Sequence, residues 1–431
     1  MPAASIMKNK AVANHYIREI FAGFLVYFTV CYVVFVCPSI LAQAGMPQGP
    51  VFSATCWVAA IGCFLMAFLA KLPIILAPGM GMSAYFSYVL VMRLHYTWQS
   101  ALGISFIAGI VFLLLTLTRV RSIILASIPD MLARATCAGI GLFLIVIALK
   151  QVGDISGVSL LSIQLSHLSH IYSVLFVWGL VLIGILEYFK IPGSLLIVIF
   201  FNTCLGVFLH QVTFSGIVSW PPSIAPTFMA LHIHISELWS AFYVILGYVL
   251  LAFFDSTGAL IALTSIVPAW HAKRNARIKR ALWADSSSFL VASLLGTSMV
   301  SPYIESSVGI RAGGRTGLVA IVVGILFCMT PFLAPLARSI PLFATAPVLA
   351  YAGFQMLLIL RASRGTTWDM WLVMSMVVLV IPITFSIATG FGVGLLGYIA
   401  CILLRRQWCN ISWPLVIMAL LFIFYFVIHG V

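Results

Sequence analysis

Long apolar segments alternate with short polar ones over almost the whole chain. A bilayer crossing needs roughly 20 apolar residues in a helix, because lipid offers no hydrogen bonds to an open backbone. The pattern therefore predicts an all-α polytopic membrane protein with about 14 transmembrane helices. A further apolar run, Trp413 to Ile428, is another crossing, a helix on the membrane surface, or a sign that one of the preceding segments is counted twice. The predicted crossings fall near 20–37, 52–70, 74–91, 100–118, 133–149, 171–188, 192–210, 238–264, 282–296, 298–311, 316–335, 344–360, 369–386 and 388–404.

The spacing of these segments indicates an internal duplication. About seven segments precede residue 212 and about seven follow residue 238. Because each unit holds an odd number of crossings, the two units must be inverted relative to each other in the membrane. The third segment is broken at Pro78-Gly79-Met80-Gly81, and its counterpart, the tenth, is broken at Pro302. Two interrupted spans in matching positions indicate a transporter binding site. Coincidental kinks are the alternative, since Pro and Gly are common in membrane helices.

Composition and charge narrow the class of protein. The chain is 63% hydrophobic and 7% charged, against about 25% charged for soluble domains, which excludes a soluble fold. A net charge of +13 would suit nucleic acid, but the positions of the charges indicate otherwise. With the N-terminus in the cytoplasm, most basic residues near the segment ends fall inside, and Arg93, Lys150 and Arg338 fall outside. We therefore expect an integral protein of the cell (inner or plasma) membrane with a cytoplasmic N-terminus, embedded in lipid and without a nucleic-acid partner. The basic run Lys273–Arg280 is expected to be a cytoplasmic loop.

Two of the nine acidic residues, Asp255 and Glu305, lie inside predicted membrane segments and well away from the segment ends. A carboxylate at bilayer depth costs on the order of 2.5–3.5 kcal/mol on insertion scales, so such a residue usually has a function. Neither acid has a basic residue three or four positions away that could pair with it on a helix. Because burial disfavours the charged form of a carboxyl group, each could carry a proton. A structural carboxyl, hydrogen-bonded between helices, is the alternative for each.

Two carboxyl groups favour particular substrates. They accept hydrogen bonds from N–H groups and repel anions, so a planar heterocycle with ring N–H donors, or a cation, suits them. Tyr303, Tyr85 and Phe86 stand near the two breaks and could provide a stacking face.

Five ordered motifs resemble the nucleobase:cation symporter family 2, within the nucleobase–ascorbate transporter superfamily. They are most similar to its adenine/guanine/hypoxanthine permease branch, and the resemblance covers roughly residues 20 to 405. The motifs are LAPGMGMSAYF (76–86), FFDSTGALI (253–261), ADSSSFLVASLLGTS (284–298), YIESSVGIRAGGRTGL (303–318) and ATAPVLAYAG (344–353).

The resemblance implies a fold of two inverted seven-span repeats that form a core domain and a gate domain, with a short strand in each of broken spans 3 and 10. The core would comprise residues 20–130 and 236–338, and the gate residues 131–212 and 340–406. A cytoplasmic tail, 1–19, would precede them, and an extra hydrophobic segment, 412–431, would follow.

The resemblance also implies roles for individual residues. Glu305 would contact the base, and Asp255, together with Glu305, would handle the coupled proton. The remaining substrate-binding residues implied are Tyr303, Ile304, Met82, Ser83, Ala84 and Tyr351. The chain departs from the family pattern at four polar positions, which indicates altered specificity for the base. These positions are Cys37, Ser83, Ala259 and Thr389.

The leading hypothesis is a proton-coupled symporter that imports purine nucleobases such as adenine, guanine or hypoxanthine by alternating access. We expect no enzymatic activity, no cofactor and no metal site; the coupling ion would be a proton, with sodium as the other candidate, and a homodimer is compatible with the sequence. A uracil/xanthine or anion carrier on the same fold is one alternative. A channel or an intramembrane enzyme is another, although the chain shows no nucleophile or metal constellation that an enzyme would need.

Overall fold

The computed structural model describes residues 2–118, 127–152, 171–212, 216–232, 235–267, 274–363, 367–406 and 412–429. Almost all regular structure in these ranges is helical. The helices are α1 (Pro2–Val30), α2 (Val33–Ala42), α3 (Gln48–Leu65), α4 (Met80–Ala84), α5 (Trp98–Leu117), α6 (Asp130–Val152), α7 (Ile171–Tyr188), α8 (Ser194–Phe208), α9 (Ile235–Ser265), α10 (Arg274–Leu295), α11 (Ser306–Arg311), α12 (Leu318–Met329), α13 (Ala334–Arg338), α14 (Leu342–Leu357), α15 (Trp368–Thr384), α16 (Ile387–Leu404) and α17 (Trp413–His429), with π-helical turns at Met66–Ala70 and Tyr85–Arg93 and 3-10 turns at Thr330–Leu333 and Leu358–Ser363.

Every predicted crossing contains an observed element. Within the described ranges, nine helices are long and apolar enough to span a bilayer, and α8, α15 and the first part of α17 are shorter apolar helices. Three predicted crossings remain: 282–296 lies in the continuous helix α10, and the other two, 74–91 and 298–311, are interrupted by proline and glycine. The expected loop Lys273–Arg280 is wrong in its described part, because residues 274–280 form the first turns of α10. Arginine, lysine and alanine are strong helix formers, and they extend the helix beyond the apolar segment.

The two interrupted crossings meet as a pair of short strands. Strand β1 (Leu76–Pro78) pairs antiparallel with β2 (Val300–Pro302), with Ala77 opposite Ser301. Proline cannot donate a backbone hydrogen bond, so neither segment can continue as a helix. At membrane depth the released backbone groups need partners, and each strand supplies those of the other. Both strands are fully buried.

The helices form two sets of mutual contacts. The strands, α3, α5, α9, α10 and α12 pack around one another, and α6 packs against α14 and α15. The terminal helix α17 packs on α16, where the rings of Phe391 and Phe422 lie 5.6 Å apart between centroids. The strand pair therefore lies inside the first set.

Candidate functional site

The strand pair is completed by hydrogen bonds at both ends. Gly79 N–H donates to Met299 O at 3.0 Å, and Tyr303 N–H donates to Ile75 O at 3.0 Å. The Ser306 hydroxyl accepts from Ile75 N–H, also at 3.0 Å. A side chain at position 79 would place its Cβ 2.8 Å from Ser301 Oγ, so the close approach of the two segments requires glycine there. These contacts hold the start of α4 and the start of α11 at the two ends of the strand pair.

Tyr303 joins the two broken segments. Its side chain is 6% exposed, and its hydroxyl donates to Pro78 O at 2.7 Å. The Cys37 thiol donates to the same carbonyl oxygen at 3.3 Å. The predicted substrate-binding residue Tyr303 thus forms part of the wall of the site, and its hydroxyl is already engaged by β1.

Glu305 is the residue before α11 and is partly exposed, next to the 55% exposed side chain of Ile304. The Tyr32 hydroxyl donates to Glu305 Oε1 at 2.8 Å. Tyr32 stands at the break between α1 and α2 and is fully buried. Sequence reasoning missed Tyr32, because a tyrosine between Phe28 and Phe35 in the first span carries no distinct signal. The carboxylate is therefore held from one side while its other side remains accessible.

Asp255 lies on α9, close to β2. The Ser301 hydroxyl is within hydrogen-bonding reach of its carboxyl group, and Asp255 and Glu305 interact electrostatically. The two acids singled out in the sequence, 50 positions apart, therefore both lie next to β2.

Met82, Ser83 and Ala84 are fully buried in α4, which follows β1. The Ser83 and Ser298 hydroxyl oxygens lie 2.6 Å apart, and Ser83 Oγ also donates to Gly79 O at 3.0 Å. The Tyr248 hydroxyl donates to Met82 O at 3.4 Å. In this conformation the three residues are buried beside the strand pair and stabilise it through these contacts.

Tyr351 faces the acids from α14, in the other set of helices. It is half-buried and accepts a hydrogen bond from Gln355 Nε2 at 2.5 Å. Its hydroxyl lies near the carboxyl groups of Glu187 and Glu305. Sequence reasoning missed Glu187, because its position at the end of a predicted crossing is ordinary for an acid.

The four departures from the family pattern have different surroundings. Cys37 contacts the β1 carbonyl named above, and Ser83 contacts Ser298. Ala259 is buried on α9. Thr389 donates from its hydroxyl to Ser386 Oγ at 2.8 Å in the first turn of α16.

Two further acids in the structure were not singled out from the sequence. Asp285 on α10 is fully buried. Glu19 on α1 is fully buried as well, and it accepts hydrogen bonds from Arg315 N–H at 2.8 Å and from the Thr316 hydroxyl at 3.0 Å. Glu19 thereby fixes the turn that follows α11, and with it the short helix next to Glu305.

In the described ranges, no group of three or more His, Cys, Asp or Glu side chains is arranged to hold a metal ion. Of the closely spaced histidine pairs His167/His170 and His232/His234, all but His232 lie outside the described residues.

Solved structures show where this architecture occurs. The chain aligns with the transmembrane domain of a cyanobacterium bicarbonate transporter, BicA, at a TM-score of 0.67 and 15% identity, covering 88% of this chain and 97% of that one. It also aligns with the murine Solute Carrier 26 family member A9 anion transporter in the inward-facing state, at a TM-score of 0.66 and 12% identity, covering 90% of this chain and 68% of that one. The fold is therefore the seven-plus-seven inverted repeat.

Sequence comparison identifies the family. The chain is 37% identical to the adenine permease AdeP of Escherichia coli over 406 residues, covering 94% of this chain and 91% of the relative. It is 33% identical to the guanine/hypoxanthine permease PbuG of Bacillus subtilis over 399 residues, covering 90% and 91%. The model of the Permease family, Xan_ur_permease, matches residues 17–393. The chain therefore belongs to this family of integral membrane permeases, as its motifs indicated.

Proposed function

We propose that this permease is a proton-coupled symporter that imports a purine nucleobase by alternating access. The observation that carries the proposal is the position of Glu305. It lies where the two broken spans meet, is held by Tyr32 and remains partly exposed. The names of relatives such as the adenine and guanine/hypoxanthine permeases support a purine as the substrate.

Glu305 recognises the base through hydrogen bonds. Its carboxylate accepts from ring or exocyclic N–H groups, and such charge-assisted bonds contribute about 1.5–3 kcal/mol each. The exposed side chain of Ile304 packs against the face of the base, and Tyr303 closes the wall beside it. Paired acids repel an anion, which disfavours an anion carrier even though the structural neighbours include anion transporters.

Asp255 handles the coupled proton. It interacts with Glu305 electrostatically, so protonation of one acid favours ionisation of the other. A base that needs an ionised Glu305 then binds most favourably when Asp255 is protonated. This coupling makes the proton and the base travel together.

We assign the two sets of helices to the two domains that move relative to each other during alternating access. Residues 20–130 and 236–338 form the core domain, and 131–212 and 340–406 form the gate domain, flanked by the tail 1–19 and the segment 412–431. Gln151 Nε2 on α6 donates to the Tyr88 hydroxyl at 3.1 Å, which joins gate to core at the end opposite Glu187. With the N-terminus cytoplasmic, this contact lies on the outer side of the membrane and Glu187 on the inner side.

Uptake into membrane vesicles tests the proposal. Radiolabelled adenine, guanine, hypoxanthine, xanthine and uracil are offered with and without a protonophore. We expect uptake of at least one purine that the protonophore abolishes, loss of this uptake in Glu305→Gln, and in Asp255→Asn uptake that no longer responds to the proton gradient. Normal uptake of every base by Glu305→Gln would show that the proposed site is wrong.

A further inference from the structure

Helix α11, which begins directly after Glu305, is too short to hold its own position. It has six residues, Ser306–Arg311, whereas an isolated helix needs roughly 12 to 15 residues to be even marginally stable. Gly313 and Gly314 follow it, and glycine restricts the backbone less than any other residue. The direction of α11, and with it the position of Glu305, must therefore be set by neighbouring segments.

The first span contacts this segment at its start and at its middle. At the start, the Tyr32 hydroxyl donates to Glu305 at 2.8 Å. In the middle, Gly309 lies so close to α1 that a Cβ there would be 2.3 Å from Val26 Cγ2 and 3.2 Å from Ala22 O. This close approach brings the two helices into direct contact, but a contact at one point does not prevent α11 from turning about that point.

Glu19 on α1 provides a third contact, at the far end of the segment. Its carboxylate accepts from Arg315 N–H at 2.8 Å, from Thr316 N–H at 3.2 Å and from the Thr316 hydroxyl at 3.0 Å. Arg315 in turn closes α11, because its guanidinium donates to Ile310 O and to Gly314 O. Glu19 therefore fixes the residue that holds the end of the helix.

A carboxylate is a costly group to bury at this place. Glu19 is fully buried and lies within the first candidate span, Tyr16–Ala42. Burial of an ionised carboxylate is unfavourable unless hydrogen bonds compensate it. Hydrogen bonds to a charged acceptor are roughly twice as strong as those between neutral groups. A neutral side chain of the same size would fill the space, but it would hold the turn less firmly.

We propose that Glu19 is a positioning residue for substrate binding, which holds Glu305 in the orientation that recognises the base. This inference rests on the proposed function, because it takes Glu305 as the group that binds the base. Tyr32 and Glu19 fix the two ends of the segment, and the contact at Gly309 lies between them. When the contact at Glu19 is weakened, α11 turns about Gly309 and the carboxylate of Glu305 moves. A base that binds must then restore the original position, which lowers its affinity.

Transport kinetics separate this role from a role in folding alone. Glu19→Gln keeps the size of the side chain and removes its charge. In proteoliposomes of the full chain, we expect the KM for the transported purine to rise about tenfold, as for the loss of one hydrogen bond to a charged group. The maximal rate should remain that of the wild type, because saturating base restores the position of Glu305. A loss of folded protein would instead lower the maximal rate at an unchanged KM.

Thr116→Val is the matched control. The Thr116 and Ser286 hydroxyl oxygens lie 2.8 Å apart between α5 and α10, in the same set of helices. The variant therefore removes a buried hydrogen bond between two helices without removing a contact of α11, and it should keep the wild-type KM. Thr316→Val removes one donor to Glu19 and leaves the carboxylate in place. It should raise the KM by a smaller factor than Glu19→Gln, and it tests the same contact if Glu19→Gln fails to fold.

A double variant tests whether Glu19 and Tyr32 act on the same helix. The Kd of the transported purine is measured on purified Glu19→Gln, Tyr32→Phe and the variant that carries both changes. We expect the loss of affinity in the double variant to be smaller than the product of the two single losses. The reason is that release of either end already allows the carboxylate of Glu305 to move.

The outcomes that overturn the inference differ from those that overturn the proposed function. A wild-type KM in both Glu19→Gln and Thr316→Val would overturn the inference. So would a lower maximal rate at an unchanged KM, or a double variant whose loss equals the product of the single losses. Absence of purine binding and uptake in the wild type is a different result and would overturn the proposed function itself.

Discussion

At the scale of single residues, the contact between Tyr32 and Glu305 determines how the site presents its carboxylate. The sequence singles out Glu305, because an acid at bilayer depth is rare. It does not reveal Tyr32, which lies 273 positions away and meets Glu305 only after both repeats have folded. Glu187 was missed for the same reason. Rare residues can thus be recognised from a sequence, whereas common residues gain a role from their neighbours in space.

Removing the Tyr32 hydroxyl tests this contact. Tyr32→Phe keeps the buried ring and deletes the donor to Glu305, so the carboxylate loses its fixed orientation. A hydrogen bond to a charged group contributes about 1.5–3 kcal/mol, and we expect base affinity to fall by roughly tenfold to a hundredfold. Equilibrium binding of the transported purine to purified protein measures the effect. Tyr398→Phe, on α16 and away from the acids, is the control; equal affinities in both variants would contradict the role given to Tyr32.

At the scale of elements, the two strands illustrate what proline and glycine reveal in advance. Pro78, Gly79 and Pro302 predict where the third and tenth crossings break, and the strands form at those places. The antiparallel register, with Ala77 opposite Ser301, could not be predicted, because it depends on how the two repeats approach each other. The sequence likewise could not predict the contact of Glu19 with the turn at Arg315, because this hydrogen bond joins two segments that are distant in the sequence.

The close approach of the strands makes Gly79 sensitive to substitution. The Cβ of Gly79→Ala would lie 2.8 Å from Ser301 Oγ and 3.1 Å from Met82 Cγ. We expect this overpacking to cost about 1–3 kcal/mol, seen as a lower Tm of the purified protein. Adding Ser301→Ala removes the nearest clashing atom and should recover part of the loss. If the double variant were no more stable than Gly79→Ala alone, the clash would not be the cause.

At the scale of the whole molecule, hydrophobic patterning predicts most of the architecture. It predicts the number of crossings, and the odd repeat requires the inversion that the structural relatives share. What patterning cannot supply is the relation between the two sets of helices, which brings Tyr351 and Glu187 opposite Glu305. That relation depends on packing between surfaces with little polar character, which many registers would satisfy equally well. The positions of the site residues relative to one another are therefore known only from the folded structure.

Proton movement that accompanies the base tests the central claim most directly. Proteoliposomes containing the full chain and an internal pH indicator receive adenine, guanine or hypoxanthine from outside, with no gradient imposed. We predict that one of these purines acidifies the interior as it enters, and that Glu305→Gln abolishes both the acidification and the entry. Purine entry by the wild type without any change in internal pH would contradict the account.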